Sequence, residues 1–239
     1  MIEDSPGFAR FQRAALDIEF MGIAWTTIDG GVTAPEGFMA GAVNCGIRSQ
    51  KPDLALLLSD RDAALAGTFT SNRLAAAPVA LCRQRVASGI GRAVVVNSGN
   101  ANAATGTQGQ ADADRMATVT AEALGIAPES VCVCSTGTIG VPMPMQKVEA
   151  GITKVVPTLS PDGGAAAARA IMTTDLVPKQ IALELQVDGK TVRVGGMAKG
   201  SGMIMPNMAT MLAFILTDAQ ISFPELKSAL KSAVKTTFN

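Results

Sequence analysis

KGSGMIMPNMATMLAF, residues 199–214, joins a lysine, a Gly-Ser-Gly turn and a proline to a threonine that leads into an apolar run. This pattern places Thr210 at the mouth of a strand, behind a loop in which a strained backbone position stores about 1–3 kcal/mol. Attack of the Thr210 hydroxyl on the Ala209 carbonyl would give an ester that water opens. The segment therefore predicts cleavage of the chain between Ala209 and Thr210.

A Thr210 freed in this way would carry its own base. The α-amino group of a chain has an ordinary pKa of about 7.7–8.0, so part of it is unprotonated near neutral pH and accepts the hydroxyl proton. The chain contains no histidine and cannot build the commoner serine–histidine pair. Thr210 is thus predicted to be a catalytic nucleophile, the alternative being an ordinary strand threonine.

The composition limits the fold and the function. Hydrophobic residues make up 48% of the 239 residues and charged residues 17%, which predicts a substantial core. The 20 basic and 20 acidic residues leave no net charge, which argues against a nucleic-acid or membrane-surface binder. Because the chain lacks histidine and a run of about 18 apolar residues, we predict no metal site and no membrane span.

The four cysteines form no C-x-x-C pair. Cys132 and Cys134 alternate within an apolar run, so their side chains are predicted to face the same way. We interpret Cys45, Cys82, Cys132 and Cys134 as small buried hydrophobic residues in a reducing cytoplasm, with reactive or metal-binding cysteines as the alternative.

Apolar runs bounded by turn residues predict the strands. They cover residues 53–59, 66–70, 78–82, 93–97, 131–134 and 210–217. The run 93–96 is continuous and β-branched, which is typical of a strand buried on both faces. Residues 181–187 and 191–194 alternate around Asp188-Gly189 and predict a hairpin.

Helical spacing predicts four helices. They cover residues 108–124, ending before Gly125, an amphipathic segment around 145–155, an alanine-rich segment 164–172, and a last helix that begins at a Ser222–Glu225 capping box. Leu226, Leu230 and Val234 are predicted to form the buried stripe of that last helix. The mixture of hairpins and amphipathic helices indicates an α+β layered domain with helices covering the sheets.

Four further segments carry candidate chemistry, each beside a purely structural alternative. Thr136 and Gly137, at a predicted turn after a strand, offer a hydroxyl and an N–H group to a developing oxyanion. Lys199 would bind a carboxylate through a charge-assisted hydrogen bond if it lay in an apolar cleft. Thr173-Thr174-Asp175 offers hydroxyls near such a carboxylate. NSGNANAATG, residues 97–106, is interpreted as a structural loop, with an anion-binding loop as the alternative.

Taken together, these segments resemble the ornithine acetyltransferase (glutamate N-acetyltransferase) family of arginine biosynthesis. The matching motifs are long, follow the family's order and cover about 25–239. They are GGVTAPEGF at 30–38, DLALLLSD at 53–60, AGTFTSNRLAAAPV at 66–79, VVNSGNANAATGTQGQADA at 95–113, STGTIGVPMPM at 135–145, IMTTD at 171–175 and KGSGMIMPNMATMLAF at 199–214.

The resemblance implies site residues and a fold. It implies a self-cleaving precursor, cut between Ala209 and Thr210, in which Thr210 carries the acetyl group. Thr136 and Gly137 match the oxyanion pair, and Thr173 and Lys199 match substrate-binding positions, with Thr174 as the alternative to Thr173. The implied fold has layered α/β/β/α architecture, with two sheets between helices.

The reaction implied by the resemblance is a double displacement. Acetyl passes from N-acetylornithine to Thr210 with release of ornithine, and glutamate then accepts it. Some members also accept acetyl-CoA, and no cofactor or metal is implied. The implied assembly is a heterotetramer of two α and two β chains in the cytoplasm.

The expected division of the chain is an N-terminal extension, 1–24, the α-chain portion, 25–209, and the start of a β-chain portion, 210–239. Family binding residues nearer the C-terminus, a glutamate and an asparagine–serine/threonine pair, have no counterpart here, so the chain is expected to be truncated. Two alternatives are kept: an N-terminal-nucleophile amidase or aminopeptidase, which uses water as acceptor, and a non-catalytic fragment.

Overall fold

The computed structural model describes residues 25–202 and 210–237. Within these ranges the strands are β1 Trp25–Ile28, β2 Phe38–Val43, β3 Leu54–Ala64, β4 Ile90–Asn100, β5 Val131–Thr138, β6 Lys179–Val187, β7 Lys190–Lys199 and β8 Leu212–Thr217. The helices are α1 Ala77–Arg85, α2 Gly106–Leu124, α3 Met145–Val155, α4 Gly164–Ala170 and α5 Phe223–Thr236. The predicted extension 1–24 and Ala209 lie outside the described residues.

The strands form two four-stranded sheets. Sheet I has the order β2-β3-β4-β5 and sheet II the order β1-β6-β7-β8. Sheet II is antiparallel throughout, whereas β4 and β5 of sheet I are parallel because α2 crosses over between them.

Strand β3 shows how the layers are built, because its alternating side chains enter two different cores. Leu54 and Leu56 join a cluster with side chains of α2 and α3 on the outer face of sheet I. Ala55 and Leu57 face the other way, into a cluster that α4 shares with Met197 of sheet II. Sheet I is therefore buried on both faces, as the continuous apolar run 93–96 predicted.

This architecture confirms the predicted α+β fold of two sheets and covering helices. Within the described residues, α2 and α3 cover the outer face of sheet I, and α4 packs between the two sheets. The outer face of sheet II carries Ile181 and Ile215, each 51% exposed.

Elements with local sequence signals were predicted correctly. Helix α2 ends before Gly125, which has φ +66°. The β6–β7 hairpin turns on Asp188 and Gly189, both at positive φ, as a two-residue turn requires. Helix α5 begins with the predicted capping box of Ser222 and Glu225.

The predicted strand 78–82 is wrong, since these residues lie in α1. Pro78 stands in the first turn of this helix, where its missing N–H costs nothing. The buried residues are Pro78, Leu81 and Cys82, a helical spacing that a short apolar run conceals.

The predicted strand 66–70 is also wrong, because β3 ends at Ala64 and the chain then runs as a loop beside α1. The carbonyl of Thr70 accepts a hydrogen bond from Arg83 at 2.5 Å, and the guanidinium group of Arg83 lies over the Phe69 ring. The Arg83 side chain of α1 therefore takes the place of the neighbouring strand that would otherwise donate to the Thr70 carbonyl.

Other boundaries shift because of pairing between distant segments. The predicted loop 97–106 begins as strand, since β4 continues to Asn100 against β5. Thr136 and Gly137 lie within β5 and not at a turn after it. The alanine-rich helix ends at Ala170 instead of residue 172.

The apolar stripe of α5 is present but is not buried. Leu226, Leu230 and Val234 are only half-buried, and α5 has no fully buried residue. The first turn of the helix does make a contact, because the Phe223 ring packs against Gly89.

Candidate active site

Lys199 is a buried cation at the end of β7. It pairs with Leu212 of β8 and is only 4% exposed. It shares its face of the strand with the buried Met197, so it points into the space between the sheets. Burial lowers the pKa of Lys199 below its ordinary value, whereas the neighbouring carboxylate of Asp175 opposes that shift.

Asp175 is the centre of the hydrogen bonds around Lys199. Its buried carboxylate accepts hydrogen bonds from the backbone N–H of Gly200 at 2.8 Å and of Thr173 at 3.2 Å, and from the ammonium group of Lys179. Burial alone would raise the pKa of Asp175, but these hydrogen bonds outweigh it and hold the pKa below its usual range. One carboxylate thus fixes the segments that carry Thr173 and Lys199.

Thr210 lies just beyond the paired part of β8. Its φ is +66°, a left-handed conformation that a β-branched residue rarely adopts. Strand β8 therefore begins at Leu212, and the predicted strand start at Thr210 is wrong. The side chain of Met211 lies against Gly200, since a Cβ atom added to Gly200 would be 3.4 Å from it. The exposed Thr210 therefore lies beside the turn that follows Lys199.

The structure distinguishes the two adjacent threonines by their contacts. Thr173 is half-buried and donates its N–H to Asp175. The exposed Thr174 shares a hydrogen bond of 3.0 Å between its hydroxyl and that of Ser201. Thr174 therefore contacts the 199–202 segment directly, whereas Thr173 is linked to that segment through Asp175.

Thr136 and Gly137 lie where β5 runs beside a bulge in β4. Thr136 is buried and pairs with Ser98, and Gly137 pairs with Gly99 at φ +134°. A Cβ atom on Gly137 would lie 2.3 Å from the carbonyl carbon of Gly99, so the two backbones are in direct contact. The close approach requires glycine at this position whatever chemistry it performs.

Arg48 connects the two halves of the site. Its guanidinium group donates to the Met172 carbonyl at 2.8 Å, and its side chain packs over Gly99. Ser98, beside Thr136, donates to the Ala170 carbonyl at 2.6 Å. The end of β5 and the segment of Thr173 are therefore held to the same scaffold, although they belong to different layers.

The NSGNAN segment supports the β5 side of the site. The amide of Asn100 donates to the carbonyls of Val141 and Pro142, both at 3.1 Å, and its oxygen accepts from the N–H of Asn102. Asn102 in turn donates to the Gly109 carbonyl in α2 at 2.8 Å. These contacts agree with a structural role for residues 97–106, although residues 97–100 belong to strand β4 and not to a loop.

Asp175 and Arg48 are the residues of this site that sequence reasoning missed. The sequence indicates Asp175 only as the neighbour of two threonines, and no local pattern connects it to Gly200.

Among residues 25–202 and 210–237, no three or more cysteine, aspartate or glutamate side chains are grouped to hold a metal ion. No helix within the same ranges is long and apolar enough to cross a membrane.

Replacing Gly137 with alanine should lower the free energy of unfolding by about 3 kcal/mol or more, because the new methyl group would meet backbone atoms that cannot yield. Urea unfolding measures the change. Gly140→Ala is the matched control: Gly140 has φ +79° but no neighbouring atom within 4 Å, so only the strain of about 1–2 kcal/mol is expected. Equal losses in both variants would contradict this explanation.

Replacing Asp175 with asparagine should cost about 2–3 kcal/mol of unfolding free energy at neutral pH, since a buried charged acceptor is lost. Because the folded-state pKa of Asp175 is lowered, its contribution is present above the ordinary carboxyl pKa of about 3.9 and disappears as the pH falls through the folded-state value. The difference between wild type and variant should therefore shrink in strong acid. Asp114→Asn, at an exposed position of α2, should change stability little at either pH.

Comparisons with known proteins identify the family of this chain. The ArgJ family model matches residues 39–239. The arginine biosynthesis bifunctional protein ArgJ of Synechocystis is 51% identical over 217 residues, which are 90% of this chain and 52% of that protein. This chain therefore spans about half the length of the curated relatives it matches.

Two solved structures share the fold. The crystal structure of ArgJ from Bacillus halodurans has a TM-score of 0.75 and 40% identity, over 78% of this chain and 99% of that one. The ornithine acetyltransferase of Mycobacterium tuberculosis, solved in complex with ornithine, has a TM-score of 0.71 and 44% identity, over 78% of this chain and 100% of that one. The family match, these identities and the shared fold together show that the chain belongs to the ArgJ family.

Proposed function

We propose that this chain carries the nucleophile and part of the substrate site of an enzyme that transfers acetyl from N-acetylornithine to glutamate. In this proposal the precursor cleaves itself between Ala209 and Thr210. The freed Thr210 then attacks the acetyl carbonyl, releases ornithine and passes the acetyl group to glutamate.

Buried Lys199 is the observation that carries the proposal. A buried ammonium group is costly unless it is paired, and Asp175, its anionic neighbour, already binds Lys179 and two backbone N–H groups. A second carboxylate would satisfy Lys199 through a charge-assisted hydrogen bond. N-acetylornithine and glutamate both carry an α-carboxylate, so one cation can position both substrates.

The position of Thr210 supports its role as nucleophile. It is exposed, it lies beside the turn after Lys199, and its positive φ places backbone strain next to the proposed cleavage site. The lengths of the solved chains agree with cleavage there. Each solved chain is matched over nearly its whole length by 78% of this chain. That share is about as long as the segment 25–209.

Thr136 and Gly137 are proposed to stabilise the oxyanion that forms on the acetyl carbonyl. Both lie at the end of β5 that Arg48 and Ser98 tie to the Thr173 segment, and Thr173 is proposed to contact substrate. One preorganised donor of this kind contributes about 3–4 kcal/mol to the barrier. No step requires a cofactor.

One relative supports the proposed donor. The ornithine bound to the Mycobacterium tuberculosis enzyme supports N-acetylornithine as donor. Acetyl-CoA as a further donor, a heterotetramer of two α and two β chains, and a cytoplasmic location complete the proposal.

The half-reaction tests this function, on the polypeptide encoded by the whole gene. Incubation with N-acetylornithine alone should release one ornithine per active site and add one acetyl group to the peptide that begins at Thr210. Added glutamate should remove that acetyl group as N-acetylglutamate. Steady transfer between the substrates without any acetylated Thr210 peptide would overturn the proposed intermediate.

A further inference from the structure

Arg48 lies in the loop between β2 and β3, and its backbone is fixed by two side chains. Its N–H donates to the Asp53 carboxylate at 2.7 Å, and its carbonyl accepts a hydrogen bond from the amide of Asn44 at 3.0 Å. Asp53 is fully buried just before β3, so it ties this part of the loop to sheet I. The half-buried side chain of Arg48 therefore leaves the loop from a fixed point.

The side chain of Arg48 reaches from the oxyanion segment to the Thr173 segment. Its Cγ would be 3.0 Å from a Cβ atom added to Gly99, and Gly99 pairs with Gly137. Its Nη1 donates to the carbonyl of Met172, the residue before Thr173, at 2.8 Å. The guanidinium group is thus held beside both segments that are proposed to contact the substrate.

The other edge of this guanidinium group is not used by the protein. Nη1 is its only nitrogen with an acceptor in the part of the chain that the structure describes, and no carboxylate of that part forms an ion pair with it. Nε and Nη2 together form a planar fork that matches the two oxygens of one carboxylate. A half-buried cation with an open fork is a binding site for an anion.

We propose that Arg48 selects glutamate as the acetyl acceptor by binding its side-chain carboxylate through Nε and Nη2. This inference rests on the proposed acetyl transfer, in which Lys199 binds the α-carboxylate that both substrates share. The other cation of the site, Lys179, is bound to Asp175. Arg48 is a specificity-determining residue in this proposal and takes no part in bond making.

The two substrates differ in charge at the end of their side chains. N-acetylornithine ends in an ammonium group, which a guanidinium group repels, whereas glutamate ends in a carboxylate, which it binds. Arg48 therefore contributes to the half-reaction in which glutamate accepts the acetyl group. It contributes no attraction to the half-reaction that releases ornithine.

Glutamate and glutamine, compared as acceptors, test the proposal on the polypeptide encoded by the whole gene. Glutamine has the shape of glutamate but carries an uncharged amide in place of the side-chain carboxylate. In the wild type, kcat/KM for glutamate should exceed that for glutamine by at least about 30-fold, and Arg48→Met should lower this ratio by at least about tenfold. Release of ornithine from N-acetylornithine should change far less than transfer to glutamate.

The ratio separates recognition of glutamate from support of the scaffold. Loss of the hydrogen bond to Met172 affects both acceptors alike and cancels in the ratio. Arg48→Lys keeps the positive charge and should retain part of the preference. Arg92→Met is the matched control and should keep the wild-type ratio, because Arg92 also donates to a backbone carbonyl, that of Ser59 at 3.1 Å, but near the opposite end of β4 from Gly99.

A wild-type ratio near one would overturn the proposal, and so would an Arg48→Met variant in which transfer to both acceptors falls by the same factor. If Arg48→Met does not fold, the ratios of the wild type and of Arg48→Lys still decide the question. Either failure leaves acetyl transfer by the wild type intact. A wild-type enzyme that acetylates neither amino acid would instead overturn the proposed function, and this inference with it.

Discussion

In the polypeptide encoded by the whole gene, Thr210→Ala is expected to leave one uncleaved chain and to lower acetyl transfer by at least about a thousandfold. Alanine has no hydroxyl to attack the Ala209 carbonyl or the acetyl group, so both steps lose their nucleophile. A denaturing gel measures the cleavage, and release of ornithine measures the transfer.

Thr210→Ser provides the control, because it keeps a hydroxyl at the same position. It should be cleaved and should retain part of the activity. Two chains from the alanine variant, divided at position 210, would contradict self-cleavage by this residue. Wild-type transfer rates in that variant would contradict its role as nucleophile.

Lys199→Met is expected to lower kcat/KM for N-acetylornithine and for glutamate by at least about 30-fold. Loss of one partner from a buried charge pair costs about 2–5 kcal/mol, and each 1.4 kcal/mol is about a factor of ten. Methionine has similar length and suits a buried position, so the variant should fold. Lys179→Met is the matched control, since Lys179 binds the same Asp175 but is partly exposed.

Stability should move in the opposite direction to activity in Lys199→Met. Burial lowers the folded-state pKa of Lys199, so the charged lysine destabilises the fold below that pKa and the penalty falls as the pH rises through it. The variant should therefore be at least as stable as wild type near neutral pH, with the difference shrinking in alkali. A variant that loses activity only because it unfolds would contradict the substrate-binding role.

The fold was predictable where the signals are local. Asp188-Gly189, Gly125 and the Ser222–Glu225 capping box each fix a turn or a helix end through their own backbone preferences. Residues 78–82 were assigned to the wrong element because five residues of apolar sequence satisfy both periods. The packing of Leu81 and Cys82 beside β5 fits the helical spacing.

The sequence indicates which residues to propose for the site, but it does not indicate how they are arranged. Thr210, Lys199 and Thr136 stand in conspicuous motifs, whereas the parallel pairing that extends β5 through Gly137 depends on β4, far away in the chain. Asp175 acts on Gly200, 25 residues later, and Arg48 acts on Met172, 124 residues later. Contacts at such separations leave no local pattern in one sequence.

Intact-mass spectrometry of the polypeptide encoded by the whole gene, combined with N-terminal sequencing, tests the nucleophile most directly. The proposed mechanism predicts two chains in equal amount, one ending at Ala209 and the other beginning with Thr210. A single unbroken chain that acetylates glutamate from N-acetylornithine at full rate would contradict it.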